Sequence, residues 1–272
     1  MTESMPLMPG MIDSHFHYLE MLKKELDPHA LLAECFSSGM TAAVDIATNT
    51  ANFEKRLEFA ACFDNIFITA GLNPGKAEKE TAEIDEMLDT LETQISGAKG
   101  HGRLIAVGET GLDWYWKYGT REKQISLFEA QVDLAEKYGL PVIIHNREAD
   151  EDVLRILNTK KPAKGGIIHC FSSDYKYALS CIDLGFMISF AGNVTYKKNT
   201  VIQEAARRIP ASSILAETDS PYLSPGKLRG LPGHPGFVSH TYNYLAELRD
   251  VEIEDFTDTV KTNFNTLFGK DL

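Results

Sequence analysis

The sequence predicts an α/β protein: a single (β/α)8 TIM barrel with an additional C-terminal helix, spanning residues 1–272 as one domain. Three observations predict this fold. Short β-branched or apolar runs alternate with longer segments of helical period, as in parallel βαβ units. Eight such runs fit within about 250 residues, the usual length of this barrel. Histidine or carboxylate residues follow several of the runs, where a barrel places its active site.

The predicted strands share a run of apolar or β-branched residues. They cover residues 10–17, 41–48, 66–72, 104–109, 141–145, 166–170, 186–190 and 214–218. Predicted helices cover residues 29–38, 50–64, 79–96, 121–138, 149–158, 174–183, 200–208, 238–249 and 253–268. Gly39, Gly139 and Gly185 stand just beyond helices, where a left-handed residue is usual.

A doubly wound open sheet also alternates strands with helices and is the competing fold. It usually carries a Gly-x-Gly-x-x-Gly turn after its first strand. This chain has histidines there instead. The barrel is therefore favoured.

Composition limits the class of protein. No apolar run approaches the roughly 20 residues of a membrane span. Residues 1–10 lack the basic and then apolar pattern of a signal peptide. The four cysteines show no Cys-x-x-Cys spacing. These features predict a cytoplasmic protein that does not contact membranes, and none of them indicates an obligate protein partner.

The net charge of −12 argues against a protein that coats nucleic acid, because such binding depends on neutralising phosphates over a broad basic face. A nucleic-acid enzyme stays compatible with this charge, since bound divalent cations supply local positive charge. We therefore expect a DNA substrate to be held at a metal site rather than on a basic surface.

His15 and His17 end the first predicted strand, in the run Met-Ile-Asp-Ser-His-Phe-His at residues 11–17. Residues i and i+2 of a strand point to the same face, so both imidazoles can reach one cation. The alternative is that one of them is an ordinary buried strand histidine. The remaining strand ends decide between these interpretations.

Four further strands carry residues of the same chemistry at their ends. Glu109 ends the fourth, His145 the fifth and His169 the sixth, and the eighth carries Glu217 and Asp219. Singly, each has a structural alternative, such as a helix N-cap for a carboxylate. Glu217 in particular is either a partner that orients a ligand or a member of an internal salt bridge. Jointly, the fold brings them to one rim.

This donor set predicts two divalent cations. Four imidazoles and at least two carboxylates exceed the needs of one tetrahedral zinc, and Glu109 stands where a bridging carboxylate is needed. Zinc, manganese and magnesium all suit mixed histidine and carboxylate sites. Cys170 is expected to face the helices, because it neighbours His169 on the predicted strand.

At these residues the chain resembles the TatD-related metal-dependent hydrolases of the amidohydrolase-like superfamily. The matching runs are residues 13–17, 108–113, 140–145, 168–172 and 217–223. The resemblance implies that His15, His17 and Glu109 hold one metal, which Asp219 contacts together with its water. It implies that Glu109, His145 and His169 hold a second metal. Members of this family are mostly described as deoxyribonucleases.

One segment departs from the family pattern. After the eighth strand the family usually carries Arg-Gly-Lys-Arg-Asn-x-Pro, whereas residues 229–235 read Arg-Gly-Leu-Pro-Gly-His-Pro. The altered part, Leu231 to Pro235, weakens the substrate assignment, because cations and amides near the mouth are natural phosphate contacts. His234 lies in this loop and is a further candidate to face the mouth.

Together these residues predict a divalent-metal-dependent hydrolase that uses a metal-activated water. The family resemblance implies a deoxyribonuclease, which cleaves the phosphodiester bonds of DNA. Asp219 is expected to orient this water and accept its proton. Candidate substrate contacts are Asp113, Arg147 and Tyr222. The alternative is an amidohydrolase-type enzyme that cleaves a small-molecule or aminoacyl ester or amide bond. A metal-binding protein without catalysis is disfavoured by the intact ligand set.

Overall fold

The structure, a computed structural model, describes residues 6–272. The first five residues of the predicted domain and N-terminal segment lie outside the described residues. Within the described range, eight parallel strands form one sheet in sequential order. The predicted barrel is confirmed. Its strands are β1 (Ile12–Phe16), β2 (Ala42–Asp45), β3 (Ile66–Ala70), β4 (Leu104–Asp113), β5 (Val142–Arg147), β6 (Gly166–Ile168), β7 (Phe186–Phe190) and β8 (Ile214–Ala216).

Helices surround this sheet. They are α1 (Tyr18–Lys23), α2 (Pro28–Ser37), α3 (Phe53–Ala61), α4 (Thr81–Ala98), α5 (Arg121–Tyr138), α6 (Asp150–Lys160), α7 (Tyr175–Asp183), α8 (Thr200–Arg208), α9 (Val238–Arg249) and α10 (Ile253–Phe268). Helix α1, which has six residues and begins directly after His17, was not predicted from the sequence. Gly39, Gly139 and Gly185 all have positive φ, as predicted. Among residues 6–272, no helix is both long and apolar enough to cross a membrane.

The additional C-terminal helix is α10, which packs against β8 and β1. Its Asn263 side chain donates hydrogen bonds to the carbonyl oxygens of Ala211 and Ile214, at the beginning of β8. Phe264 contacts Phe67 of β3, with ring centroids 6.1 Å apart. The helix therefore covers the end of the barrel opposite the strand termini that carry the histidines.

The barrel closes between β1 and the segment after β8. The backbone N–H of Asp219 donates to the His15 carbonyl at 2.9 Å, and that of His17 donates to the Ser220 carbonyl at 2.8 Å. The Ser14 hydroxyl adds a bond to the Ala216 carbonyl at 3.1 Å. This closure sets the Asp219 side chain beside His15 of β1 and beside His17, which directly follows the strand.

Strand β4 continues past its predicted end at Glu109 and reaches Asp113. Gly111 makes the continuation possible. Its φ is +138°, and a Cβ there would lie 2.0 Å from the His145 carbonyl oxygen. Because only glycine fits, β4 stays paired with β5 as far as Arg147. Glu109 consequently lies inside a strand, not at its end.

Candidate metal centre

His15, His17 and Asp219 form the first half-centre. The Nε2 atoms of the two imidazoles lie 3.2 Å apart. Asp219 Oδ1 is 3.7 Å from His15 Nε2 and 3.3 Å from His17 Nε2. Glu109 Oε2 lies 3.8 Å from each of these nitrogen atoms. Two carboxylate oxygens and two imidazole nitrogens thus converge on one point.

His145 and His169 form the second half-centre. Glu109 Oε1 lies 3.2 Å from His145 Nδ1 and 3.8 Å from His169 Nε2. The two oxygens of the single Glu109 carboxylate therefore face different histidine pairs. This is the arrangement of a carboxylate that bridges two cations.

Carboxylates orient the second half-centre. Asp113 Oδ2 lies 3.0 Å from His145 Nε2, and Glu217 Oε1 lies 3.3 Å from His169 Nδ1. Each contact engages the ring nitrogen that points away from Glu109, which leaves the facing nitrogen free to bind a cation. Of the two interpretations of Glu217, the geometry therefore favours a partner that orients a ligand.

A backbone carbonyl orients His17 of the first half-centre, since its Nδ1 lies 3.2 Å from the Ile46 oxygen. His15 is held differently. Its ring stacks on that of His169, with centroids 3.9 Å apart and an interplanar angle of 9°. This stack joins the two half-centres.

The donor set fits divalent cations. Nitrogen and oxygen atoms of His15, His17 and Glu109 lie within 4.8 Å of one another, as do those of Glu109, His145 and His169. His169 Nε2 is buried and has no hydrogen-bond partner, although it points at Glu109. An unpartnered buried nitrogen is costly unless a ligand satisfies it. A cation between these groups would do so.

The pKa values of the two imidazoles in the first half-centre are shifted in opposite directions. Burial, together with the neighbouring imidazoles of His169 and His17, holds the pKa of His15 well below its ordinary value. Burial also lowers the pKa of His17, but the hydrogen bond and charge of Asp219 outweigh it and raise that pKa to about 9. His15 is therefore a neutral ligand at pH 7, whereas His17 carries a proton that a cation must displace.

Both imidazoles of the second half-centre are basic. Burial lowers the pKa of His169, but the nearby carboxylates of Glu109 and Glu217 raise it well above its ordinary value. Burial also lowers the pKa of His145, but the carboxylates of Asp113 and Glu109 raise it above its ordinary value. Burial raises the pKa of Glu109, yet the facing imidazoles of His145 and His169 bring it well below the usual range.

The centre lies at the floor of an open cavity of about 650 Å³. The predicted substrate contacts Arg147 and Tyr222 line this cavity, and Tyr222 is 44% exposed. Asp113 also borders it, but its carboxylate is buried and engaged with His145 and the Trp116 backbone N–H. The geometry therefore gives Asp113 an orienting position behind a ligand rather than an open face toward substrate.

One expectation about a neighbouring residue was wrong. Cys170 lines the cavity rather than facing the helices, because β6 ends at Ile168 and Cys170 has a φ of +46° beyond it. Strand alternation no longer applies at that position. His234 is not among the residues that line the cavity. It packs against Phe237, with ring centroids 4.1 Å apart.

Three residues that line the cavity were not predicted from the sequence. They are Lys23 at the end of α1, Lys76 after β3 and Asn193 after β7. The signal was available in the fold, because every loop that follows a barrel strand opens on the same rim. Residue chemistry in those loops did not distinguish them from solvated side chains.

Residues 12–269 match the model of the TatD-related DNase family. The chain belongs to the TatD family. An uncharacterized metal-dependent hydrolase of Buchnera aphidicola is 32% identical over 263 residues, which are 95% of this chain and 99% of that protein. The uncharacterized metal-dependent hydrolase YcfH of Escherichia coli is 31% identical over 266 residues, 96% of each chain. This protein is accordingly a metal-dependent hydrolase.

Solved structures agree with the fold of this TatD-family chain. The TatD homologue YjjV of Escherichia coli superposes with a TM-score of 0.87 at 27% identity, over 96% of this chain and 99% of that one. A phosphotriesterase homology protein of Escherichia coli gives a TM-score of 0.67 at 16% identity and covers 98% of this chain and 100% of that one. At that identity the second similarity concerns the barrel alone.

Proposed function

We propose that this TatD-family hydrolase is a deoxyribonuclease that cleaves phosphodiester bonds, with two divalent cations held by His15, His17, Glu109, His145, His169 and Asp219. The observation that carries the proposal is that the two oxygens of Glu109 face different histidine pairs, at the floor of a cavity lined by basic side chains. The first feature supports hydrolysis at a two-cation centre, and the second supports an anionic substrate.

Three basic side chains line the cavity: Lys23, Lys76 and Arg147. Lys23 forms an ion pair with Glu20 at 2.6 Å, and Arg147 stacks over the Tyr115 ring at 4.3 Å. Lys76 is half-buried, and no ion pair is found for it among the described residues. An ammonium in that position favours a phosphate over a neutral amide. These three basic side chains compensate for the basic residues missing after the eighth strand.

The cavity mouth also carries exposed aromatic surface. Trp116 is 59% exposed on the loop after β4, and Tyr222 stands on the loop after β8. Aromatic rings offer sequence-tolerant stacking to unpaired bases. Such contacts suit the end of a single strand, which can place one base against a ring and its phosphate on the floor.

Divalent cations held by these residues would act as Lewis acids and would lower the pKa of a bound water toward neutrality. Asp219 borders the first half-centre with Oδ1 and lies at the edge of the cavity. We assign it the proton of the attacking water, which it passes to the leaving oxygen of the cleaved ester. Glu109 contacts both half-centres and fixes their relative position. Lys76 and Arg147 orient the phosphate.

The test is hydrolysis of end-labelled single-stranded DNA by the purified protein, supplied with zinc, manganese or magnesium separately. Asp219→Asn serves as the catalytic control and Lys197→Ala as a control for a basic residue that does not line the cavity. We expect metal-dependent cleavage that Asp219→Asn abolishes and Lys197→Ala leaves intact. If protein that holds two cations cleaves an aminoacyl ester or amide but no DNA, the proposal is wrong.

A further inference from the structure

Arg56 is the largest side chain that the fold buries completely, at 2% exposure. It lies on α3 at the spacing of the buried residues Phe53 and Phe59, on the face that packs against the barrel. A charged group on such a face is costly unless several partners satisfy it. The partners of Arg56 therefore indicate what the residue is for.

Those partners lie at the ends of two neighbouring strands. Arg56 Nε donates to Asp45 Oδ2 at 2.7 Å, and Nη2 donates to the Asp45 carbonyl at 2.6 Å. Nη1 donates to the Thr69 carbonyl at 2.9 Å. One guanidinium thus joins the ends of β2 and β3, with three donors in a fixed plane.

The joined strand ends contact the first half-centre directly. Asp45 Oδ1 accepts from the backbone N–H of Tyr18 at 2.8 Å, which fixes the residue after His17. Ile46 follows Asp45 in the chain, and its carbonyl oxygen lies 3.2 Å from His17 Nδ1.

The same segment also reaches the shared ligand of the centre. The Ala47 carbonyl accepts from the backbone N–H of Glu109 at 2.8 Å. The Ala47 N–H in turn donates to the Thr69 hydroxyl at 2.9 Å. Arg56 is therefore connected to His17 and Glu109 through the short segment from Asp45 to Ala47.

We propose that Arg56 is the positioning residue of the first half-centre: it fixes the 45–47 segment that orients His17 and Glu109. The second half-centre shares Glu109, but Asp113 and Glu217 orient its two imidazoles. Loss of Arg56 therefore weakens the first cation site more than the second. This asymmetry concerns cation binding and holds whichever substrate is hydrolysed.

The experiment measures cation binding to the full-length protein with zinc as the probe, by competition with a chromophoric chelator. His145→Gln isolates the first half-centre and His17→Gln isolates the second. In the first background we expect Arg56→Met to weaken zinc binding about 10- to 100-fold, the range for residues that orient metal ligands. In the second background we expect a smaller change, because only Glu109 connects that site to Arg56.

A double variant separates positioning from stability. Arg56→Met leaves Asp45 buried without its partner, so we also prepare Asp45→Leu/Arg56→Met, in which both charges are gone. We expect this double variant to regain the unfolding temperature without regaining zinc affinity at the first half-centre. Recovery of both would show a merely structural role and overturn the proposal.

The matched control is Arg249→Met. Arg249 also donates to two carbonyl oxygens, those of Ala206 and Ile209, but on α9 and away from the centre. We expect it to lower the unfolding temperature and leave both zinc sites intact. Equal weakening of both sites by Arg56→Met, or unchanged binding at both, would also overturn the proposal. If Arg56→Met does not fold, the double variant and Arg56→Lys carry the same comparison.

Discussion

The two half-centres of this hydrolase are built in different ways. In the first, His15 on β1 and His17 directly after it are both buried, and a backbone carbonyl orients His17. In the second, His145 and His169 come from separate strands, and carboxylates orient both. The His145 side chain is 25% exposed, whereas His15 is fully buried.

The difference shows how one barrel rim makes two unequal sites. A neutral carbonyl fixes the direction of an imidazole without adding charge, whereas a carboxylate also makes the ring more basic. The second half-centre should therefore bind a cation that is more accessible and more sensitive to protons. Glu109 is the group that belongs to both.

Glu109→Gln removes the shared carboxylate and so tests whether the half-centres are coupled. We expect loss of both cations and a fall in hydrolysis of more than about 1,000-fold, since the neutral amide keeps only one oxygen and cannot bridge the two half-centres. Metal content after gel filtration, measured beside activity, checks this. Two equivalents of tightly bound metal in the folded variant would contradict the bridging role.

Asp219→Asn changes only the first half-centre and keeps an oxygen at the position of Oδ1. We expect the two cations to remain bound while kcat falls by about 10²- to 10⁴-fold, because the amide cannot accept a proton. Folding should be unaffected. An active variant with both cations in place would show that another group takes the proton.

Asp113→Asn and Glu217→Gln remove the charges that orient the second half-centre. Each should weaken one cation site about 10- to 100-fold and leave the other unchanged. The measurement is zinc titration in the His17→Gln and His145→Gln backgrounds, which isolate the two sites. Weakening in the background that lacks His145 would mean that these carboxylates serve both half-centres.

Proton release distinguishes the half-centres by a smaller effect. The raised pKa values of His145 and His169 favour protonated rings, so a cation entering the second half-centre competes with protons on both imidazoles. In the first, His17 with a pKa of about 9 releases one proton, and His15 is already neutral.

Because protons and cations compete, affinity at the first half-centre rises with pH up to about 9, and affinity at the second also rises with pH. Calorimetric titration in two buffers of different ionisation enthalpy counts the protons. We expect about one proton per cation in the His145→Gln background and more in the His17→Gln background. Equal counts would remove this distinction.

Much of the centre was predictable because its signals are local. His15 and His17 share a strand face by the two-residue period, and hydrophobic alternation marks the strands that end near the other ligands. Barrel topology then brings those ends to one rim. No local signal exists for Arg56, which reads as one charge among several in the run Glu-Lys-Arg-Leu-Glu at residues 54–58.

By itself, the sequence determined the barrel, the chemistry of the ligands and their meeting at one end, since periodicity and residue type suffice for all three. Tertiary structure alone decided that β4 runs past Glu109, that its two oxygens face different histidine pairs, and that Cys170 and Lys76 line the cavity. These outcomes depend on strand register and loop path. Both result from contacts between residues far apart in the chain, which no local pattern encodes.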